Sequence, residues 1–292
     1  MALFDSEFLK KLEYLSLVSR RVFRGQLLAQ KRTKQMGGGI EFADHRDYTP
    51  GDDFRYIDWN IYARHGELLL KRFQEEQDLH VYLFVDCSRS MSVGKVPKFD
   101  FARQVTAALA YIALADLDRI SVVTFSDQII DVFPLTRGKE QILALLKFLE
   151  QLKPVGTETD FARVMQGFVH RGQRSGLAII NSDYYDPKGY QKGVNILRHR
   201  HYEPHLIQIH DKADAEPSFL GDIELEDVES DLRKKVTVTE RKLKQYRKLY
   251  QDFLVKMRKY CRTYGLGCTQ SSTEIPFDDL VLRMMRSAGA VQ

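Results

Sequence analysis

The sequence has few cysteines, and their arrangement does not form a zinc site. The three residues are Cys87, Cys261 and Cys268, an odd number without the paired spacing of zinc ligands. This usage favours a reducing compartment. The N-terminal stretch MALFDSEFLKKLEYL also carries acidic residues where a signal peptide would be basic. We therefore expect a cytoplasmic protein.

Long apolar runs and a strong charge excess are also missing. The longest apolar run, AALAYIALA, ends at Asp116 and is much shorter than the roughly 20 residues that cross a bilayer, so we expect no membrane span. The net charge is only +4, whereas a nucleic-acid-binding protein more often has a clustered basic excess. We interpret the one local basic concentration as a solvated helix face: Arg20, Arg21, Arg24, Lys31, Arg32 and Lys34. We expect no nucleic-acid partner.

From residue 78 to the end, buried-type strands alternate with amphipathic helices. This pattern predicts an α/β fold with a doubly wound, mostly parallel sheet covered on both faces. The predicted strands are 79–85, 119–125, 129–134, 177–182, 204–209 and about 266–271. Two alternating segments at about 219–239 predict a small inserted β-hairpin within this domain, residues 78–292.

Residues 1–77 differ from the rest and are predicted to form an N-terminal extension. Two helices are expected, at about 5–19 and 20–34, followed by the glycines at 37–39 and an irregular stretch dense in aromatic and charged residues. The three glycines predict a turn rather than a phosphate loop, because no Lys-Ser or Lys-Thr follows them and no strand precedes them.

The stretch LHVYLFVDCSRSM, residues 79–91, ends a predicted strand with a carboxylate and two serines. Ligands of open parallel sheets bind beyond the carboxyl ends of the strands, which is where Asp86 falls. Nucleophilic catalysis by Cys87 or a serine is the weaker interpretation, because no G-x-S-x-G elbow is present and only His210 ends a strand. Cys87 is better explained as a small buried residue.

A hard divalent cation is the stronger interpretation of this carboxylate. Mg²⁺ prefers oxygen ligands, and hydroxyl and carboxylate oxygens from separate loops at one edge of a sheet suit it. The candidate metal ligands are Asp86, Ser88, Ser90, Thr159 and Asp183. Each follows a predicted strand or precedes a predicted helix at the same edge.

These residues resemble the metal-ion-dependent adhesion site (MIDAS) of von Willebrand factor A-type (vWA) domains. That site uses Asp-x-Ser-x-Ser, a later Thr and a later Asp, and DCSRSM, TETDFARVM and NSD match them in order. The resemblance implies a vWA/Rossmann-like fold and a bound Mg²⁺, or another divalent cation such as Mn²⁺, with one position open for a partner's carboxylate. Glu158 stands where a glycine is expected before the threonine. Thr157, preceded by Gly156, is therefore an alternative ligand.

The segment EFADHRDYTPGDDFRYIDWNIYARHGELLLKRFQEE resembles the signature of the bacterial family with domain of unknown function 58, in which a vWA-type domain follows. That resemblance implies work with a MoxR-type AAA+ ATPase in chaperone-like assembly or activation of other proteins, and contact with other vWA proteins. Within the signature we expect either a buried network of ion pairs and aromatic rings or an exposed docking face. The candidate partner-binding residues are Arg46, Tyr48, Asp52, Arg55, Asp58, Trp59 and Arg64.

Two functions of different classes are therefore open. The first is a non-enzymatic, metal-dependent protein-interaction module that serves as an adaptor for an ATPase. The alternative is a metal-dependent phosphoesterase that uses Asp86, Asp183 and Asp160 as Mg²⁺ ligands. Two-metal chemistry prefers carboxylates, whereas this site is rich in hydroxyls, so the first function is favoured.

Overall fold

A computed structural model describes residues 3–31, 36–74, 79–94, 96–155, 159–226 and 233–290. The strands are β1 Met36–Asp47, β2 Leu69–Gln74, β3 His80–Asp86, β4 Arg119–Phe125, β5 Ile129–Arg137, β6 Leu177–Ser182, β7 Glu203–His210, β8 Gly221–Glu226, β9 Arg233–Val238 and β10 Gly267–Ser272. The α-helices are α1 Ser6–Lys31, α2 Trp59–His65, α3 Lys98–Ala115, α4 Ile142–Gln151, α5 Phe161–Val169, α6 Gln191–His199, α7 Lys212–Ala215, α8 Glu240–Thr263 and α9 Phe277–Ala290.

Six strands form the central sheet in the order β10-β7-β6-β3-β4-β5. Every neighbouring pair is parallel except β4 and β5, which are antiparallel. The predicted α/β class with a mostly parallel sheet is therefore confirmed, and the architecture is compatible with a vWA/Rossmann-like fold.

The central strand β3 is apolar over residues 81–85 because both of its faces are covered. Tyr82 and Phe84 lie on one face, where their rings pack against Phe168 of α5 at centroid distances of 5.1 and 4.8 Å. Helix α3 contacts β3 and β4. Strands buried on both faces lose the alternation of apolar and polar residues, which is why VYLFV, residues 81–85, is a continuous apolar run.

The chain order creates a switch point between β3 and β6. After β3 the chain continues to β4 and β5 on one side, and β6 then pairs with β3 on the opposite side. In open sheets of this kind, ligands bind in the crevice at the carboxyl ends of the two strands where the winding reverses. The fold therefore directs attention to the residues that follow β3 and β6.

The predicted hairpin insertion is present. Strands β8 and β9 pair with each other as an antiparallel two-stranded sheet, with Gly221 opposite Val238 and Glu226 opposite Arg233.

The chain divides into two compact units, one of residues 1–22 and 79–292 and the other of residues 23–78. The extension was predicted to cover residues 1–77, but residues 1–22 belong to the first unit, with the central sheet. The reason is hydrophobic burial: Phe8, Leu12 and Leu15 of α1 are buried, and the Phe8 ring lies 4.7 Å from that of Phe277 in α9. A single helix, α1, takes the place of the two predicted helices.

The second unit contains an antiparallel pair of strands that the sequence does not predict. Strands β1 and β2 pair with irregular register near Phe42 and Asp44, and a bridge joins Ile57 to Leu70. Both bridge residues are buried. Glycines weaken the strand signal, which explains why β1 was interpreted as irregular.

The burial of His205 in the sheet predicts acid sensitivity. Burial lowers the pKa of His205 on β7 to about 4, and its Nε2 lies 2.9 Å from the Thr269 hydroxyl of β10. The unfolded chain takes up this proton below about pH 6.5. In the folded state His205 is protonated only near pH 4. The contribution of neutral His205 to the free energy of unfolding is therefore fully present above about pH 6.5 and is lost as the pH falls.

We expect His205→Gln to reduce this acid sensitivity, which amounts to at most about 1.4 kcal/mol per pH unit. Urea unfolding at pH 7.5, 6 and 5 measures it. The exposed His199→Gln is the matched control and should follow the wild type. Equal acid sensitivity in His205→Gln and the wild type would show that His205 is not the group responsible.

Candidate metal-binding site

Asp86, the last residue of β3, is completely buried and has a hydrogen bond to each carboxylate oxygen. The backbone N–H of Ser88 donates to Oδ1 at 2.9 Å, and the Ser182 hydroxyl donates to Oδ2 at 2.5 Å. Strand register explains the second contact, because Val85 pairs with Asn181 and the next residues on both strands are therefore neighbours. The carboxylate is thus fixed at the switch point of the sheet.

The two serines of the motif present their hydroxyls side by side. Ser88 Oγ lies 3.0 Å from Ser90 Oγ. A short 3₁₀ helix, Arg89–Ser92, follows Ser88, and its buried Met91 anchors the turn in the protein. The local chain therefore holds two neighbouring oxygen donors beyond the end of β3.

Asp183, the residue after β6, is bound to a lysine that the sequence analysis did not consider. Lys98 Nζ donates to Asp183 Oδ2 at 2.9 Å and to Asp214 Oδ2 at 3.1 Å. The backbone N–H of Tyr185 donates to Asp183 Oδ1 at 3.1 Å. Both oxygens of Asp183 therefore have partners within the chain.

Thr159 is buried just before α5. Its neighbour Asp160 fixes this segment, because the Asp160 backbone N–H donates to the Ser126 carbonyl beyond β4 at 3.3 Å. The Asp160 side chain also caps α5 by accepting from the Arg163 N–H. Thr157, the alternative ligand, lies outside the described residues together with Gly156 and Glu158.

The electrostatics of the site oppose ionisation of its central carboxylate. Burial, followed by the negative charge of Asp183, raises the pKa of Asp86 to about 7. Burial works to lower the pKa of Lys98, but the charges of Asp183 and Asp214 outweigh it, so that pKa is raised. Burial, together with the charge of Asp86, raises the pKa of the Cys87 thiol far above its usual range. A thiol with a raised pKa is a poor nucleophile at neutral pH.

The ligand atoms of the candidate site are all oxygens, the type that a hard divalent cation prefers. Carboxylate and hydroxyl oxygens are the ligands that Mg²⁺ and Mn²⁺ prefer, and a cation beside Asp86 would offset the repulsion between Asp86 and Asp183. Among the described residues, no three His, Cys, Asp or Glu side chains are grouped as a metal site. The ammonium of Lys98 already supplies one positive charge to Asp183.

Three residues of the site were missed in the sequence analysis, namely Lys98, Ser182 and Asp214. Helical spacing could have revealed the first, because Lys98 lies on the same face of α3 as the buried Ala102 and Val105. A lysine on a buried face needs a carboxylate partner. No local pattern indicates which carboxylate that is.

In the second unit, the charged residues of the signature pair locally. Arg46 and Asp52 form a two-pronged ion pair, with nitrogen to oxygen distances of 2.8 and 2.7 Å. These hydrogen bonds, with those from Thr49, lower the pKa of Asp52 well below its usual range. Asp58 caps α2 and pairs with His45 and Lys71 at 3.1 and 3.4 Å.

The aromatic residues of the signature are largely exposed. Trp59 at the start of α2 is 58% exposed, and Phe54, which stacks on Tyr48, is 64% exposed. Arg55 and Arg64 are exposed as well, and Arg55 pairs with Asp53. The interpretation of the signature as a buried aromatic network therefore does not describe Trp59. Arg46, Asp52 and Asp58 have structural partners.

Residues 44–259 match the model of a protein family described as protein of unknown function DUF58. The chain belongs to the DUF58 family. The matched range includes every candidate metal ligand and Lys98, and it confirms the resemblance seen in the N-terminal signature. One relative of this DUF58 chain is the uncharacterized protein Rv1480 of Mycobacterium tuberculosis, which is 26% identical over 77% of this chain and 72% of the relative.

Two solved structures are similar to this DUF58 protein at low identity. BatB from Bacteroides thetaiotaomicron is 10% identical and has a TM-score of 0.45, covering 72% of this chain and 98% of its own. An aerotolerance-related membrane protein from Bacteroides fragilis is 11% identical and has a TM-score of 0.45, covering 72% and 99%.

The expectation of a cytoplasmic location is withdrawn. It is contradicted by the name of the Bacteroides fragilis structure, which is called a membrane protein. Within the described residues, none of the helices combines the length and the apolar character needed to cross a bilayer.

Proposed function

We propose that this DUF58 protein is a non-enzymatic protein-interaction module of the vWA type. Its interaction with a partner depends on a divalent cation, Mg²⁺ or Mn²⁺, at a MIDAS-like site. The partner is a MoxR-type AAA+ ATPase, for which the module acts as an adaptor in the assembly or activation of other proteins, including other vWA proteins.

One observation carries this proposal: the two ends of the motif meet at the switch point of the sheet. Asp86 ends β3 and Asp183 follows β6, and these strands are neighbours although the residues lie 97 positions apart in the chain. The Ser182 hydroxyl, next to Asp183, binds Asp86 directly. The neighbouring positions of Asp86, Ser182 and Asp183 at this switch point support the proposal of a cation site there.

In this proposal the cation is held by Asp86, Ser88, Ser90, Thr159 and Asp183. It supplies a positive charge to which a carboxylate of the partner binds. The chain itself orients the donors: Ser182 and the Ser88 N–H fix the Asp86 carboxylate, and the 3₁₀ turn places the two serine hydroxyls.

The exposed part of the signature is the second proposed contact with the partner. Trp59, Arg55 and Arg64 are exposed on the second unit, and Trp and Arg often dominate the energy of protein interfaces. We assign Arg46, Asp52 and Asp58 the supporting role of holding the turn and the start of α2. Tyr48 supports Phe54 by stacking.

Pull-down with the cell's MoxR-type ATPase tests the proposal. Chelation of divalent ions, or Asp86→Ala, is expected to reduce the recovered complex to background, because each removes the charge that binds the partner. Asp127→Ala is the matched control, since Asp127 is a partly exposed carboxylate just after the neighbouring strand β4. Recovery unchanged by chelation and by Asp86→Ala would refute metal dependence, and phosphatase activity abolished by Asp86→Ala would replace the proposal with the enzymatic alternative.

A further inference from the structure

Lys98 occupies an unusual position for a lysine. It is the first residue of α3, its side chain is 2% exposed, and its ammonium joins Asp183 after β6 to Asp214 on α7. The same ammonium lies 4.9 Å from the centroid of the Tyr185 ring. Lys98 therefore links three elements beyond the carboxyl edge of the sheet.

General electrostatics oppose this placement unless carboxylates compensate for it. A buried ammonium loses its hydration, and the N-terminus of a helix carries a partial positive charge that repels cations. The two carboxylates offset both costs. They also keep Lys98 charged, and the buried ammonium must therefore be treated as a permanent cation at this site.

We propose that Lys98 is a tethered cation that competes with a divalent ion for Asp183. The inference rests on the proposed cation site and adds how access to it is regulated. Asp183 uses Oδ2 for Lys98 and Oδ1 for the Tyr185 N–H. A divalent ion that binds Asp183 must therefore displace the Lys98 ammonium, or both positive charges must share one carboxylate and repel each other.

The second partner of Lys98 allows this exchange. Asp214 is less buried than Asp183, with 21% against 2% of its side chain exposed, so the ammonium can stay paired there when it leaves Asp183. In the absence of a divalent ion, Lys98 forms ion pairs with both Asp183 and Asp214. When the divalent ion is bound, Lys98 keeps only its ion pair with Asp214 on α7, the helix that comes before the β8–β9 hairpin in the chain.

Isothermal titration calorimetry with Mn²⁺ or Mg²⁺ alone tests the inference. Lys98→Met is expected to bind the ion at least about tenfold more tightly than the wild type, because the competing charge is gone. Thermal unfolding should show a larger upward shift on adding the ion for Lys98→Met than for the wild type. Lys188→Met is the matched control, since Lys188 pairs with Asp160 at 2.7 Å but is 69% exposed, and its affinity should be unchanged.

A double variant separates competition for Asp183 from a simple change of charge. Lys98→Met with Asp214→Asn removes one positive and one negative charge, so the formal charge of the site stays the same. Competition predicts that the double variant also binds at least about tenfold more tightly than the wild type. A gain in Lys98→Met that vanishes in the double variant would overturn competition.

The remaining outcomes distinguish this inference from the proposed function. Equal binding by the wild type and Lys98→Met, lost in Asp86→Ala, would overturn the role of Lys98 and leave the cation site intact. Absence of binding in every variant would overturn the cation site and the competition with it. If Lys98→Met does not fold without metal, the double variant replaces it, because it lacks the partly buried Asp214 carboxylate that Lys98→Met leaves without this cation.

Discussion

Lys98→Met is expected to lower the free energy of unfolding of the metal-free protein by about 3 to 5 kcal/mol, the usual cost of breaking a buried ion pair by removing one partner. Methionine preserves most of the length of the side chain but leaves the buried Asp183 without its cation. Urea unfolding in the presence of a chelator measures the difference.

The exposed pair of Lys188 and Asp160 is the control for this prediction. Lys188→Met should change the free energy of unfolding by less than about 1 kcal/mol, because exposed ion pairs contribute little. The two pairs have similar distances, 2.9 and 2.7 Å, and differ mainly in burial. If Lys98→Met lowered the free energy of unfolding as little as Lys188→Met does, the prediction would be wrong, and water would screen the charge of Asp183 in solution.

The central sheet could be predicted from the sequence because its strands carry a strong local signal. Segments such as LHVYLFV and RISVVTF are rich in apolar and β-branched residues, since helices cover both faces of the sheet. The strands observed at 119–125 and 177–182 have the predicted bounds. Polar residues at strand ends then predict the edge where a site lies, without any knowledge of strand order.

The contacts within the site could not be predicted in the same way, because they depend on pairing between distant segments. Lys98 and Asp183 are 85 residues apart, and their contact requires β6 to lie beside β3 with α3 starting above both. The hairpin of β1 and β2 was missed because glycines and an irregular register hide its alternation. Long-range geometry, rather than residue type, decides these features.

The geometry also fixes the side chains on one side of the proposed site. Asp86 and Ser182 belong to paired strands of the core, and Asp186 holds the start of α5 by accepting the Phe161 N–H at 2.9 Å. The proposed partner would therefore meet oxygen donors fixed by the sheet. Lys98 is the charged group positioned to exchange between two carboxylates, so regulation is expected to act through it.

Gly193→Ala is expected to lower the free energy of unfolding by about 1 to 3 kcal/mol, the usual cost of overpacking a core. Gly193 lies in α6, where it contacts the first residue of α5. An added Cβ would lie 2.5 Å from Phe161 Cδ1 and 2.8 Å from the Phe161 carbonyl oxygen. The backbone at the start of α5 must then move, and with it the segment that carries Thr159.

Gly167→Ala in α5 is the matched control, with the opposite expected sign. Its Cβ would meet only Ile129 Cδ1, at 3.9 Å, so the added methyl group fits. Alanine favours a helix over glycine by up to about 1 kcal/mol, and this variant should be neutral or more stable than the wild type. Urea unfolding compares the two glycines directly. Equal effects of the two substitutions would mean that α5 and α6 are less closely packed than the structure shows, and that Thr159 is not held in place by this contact.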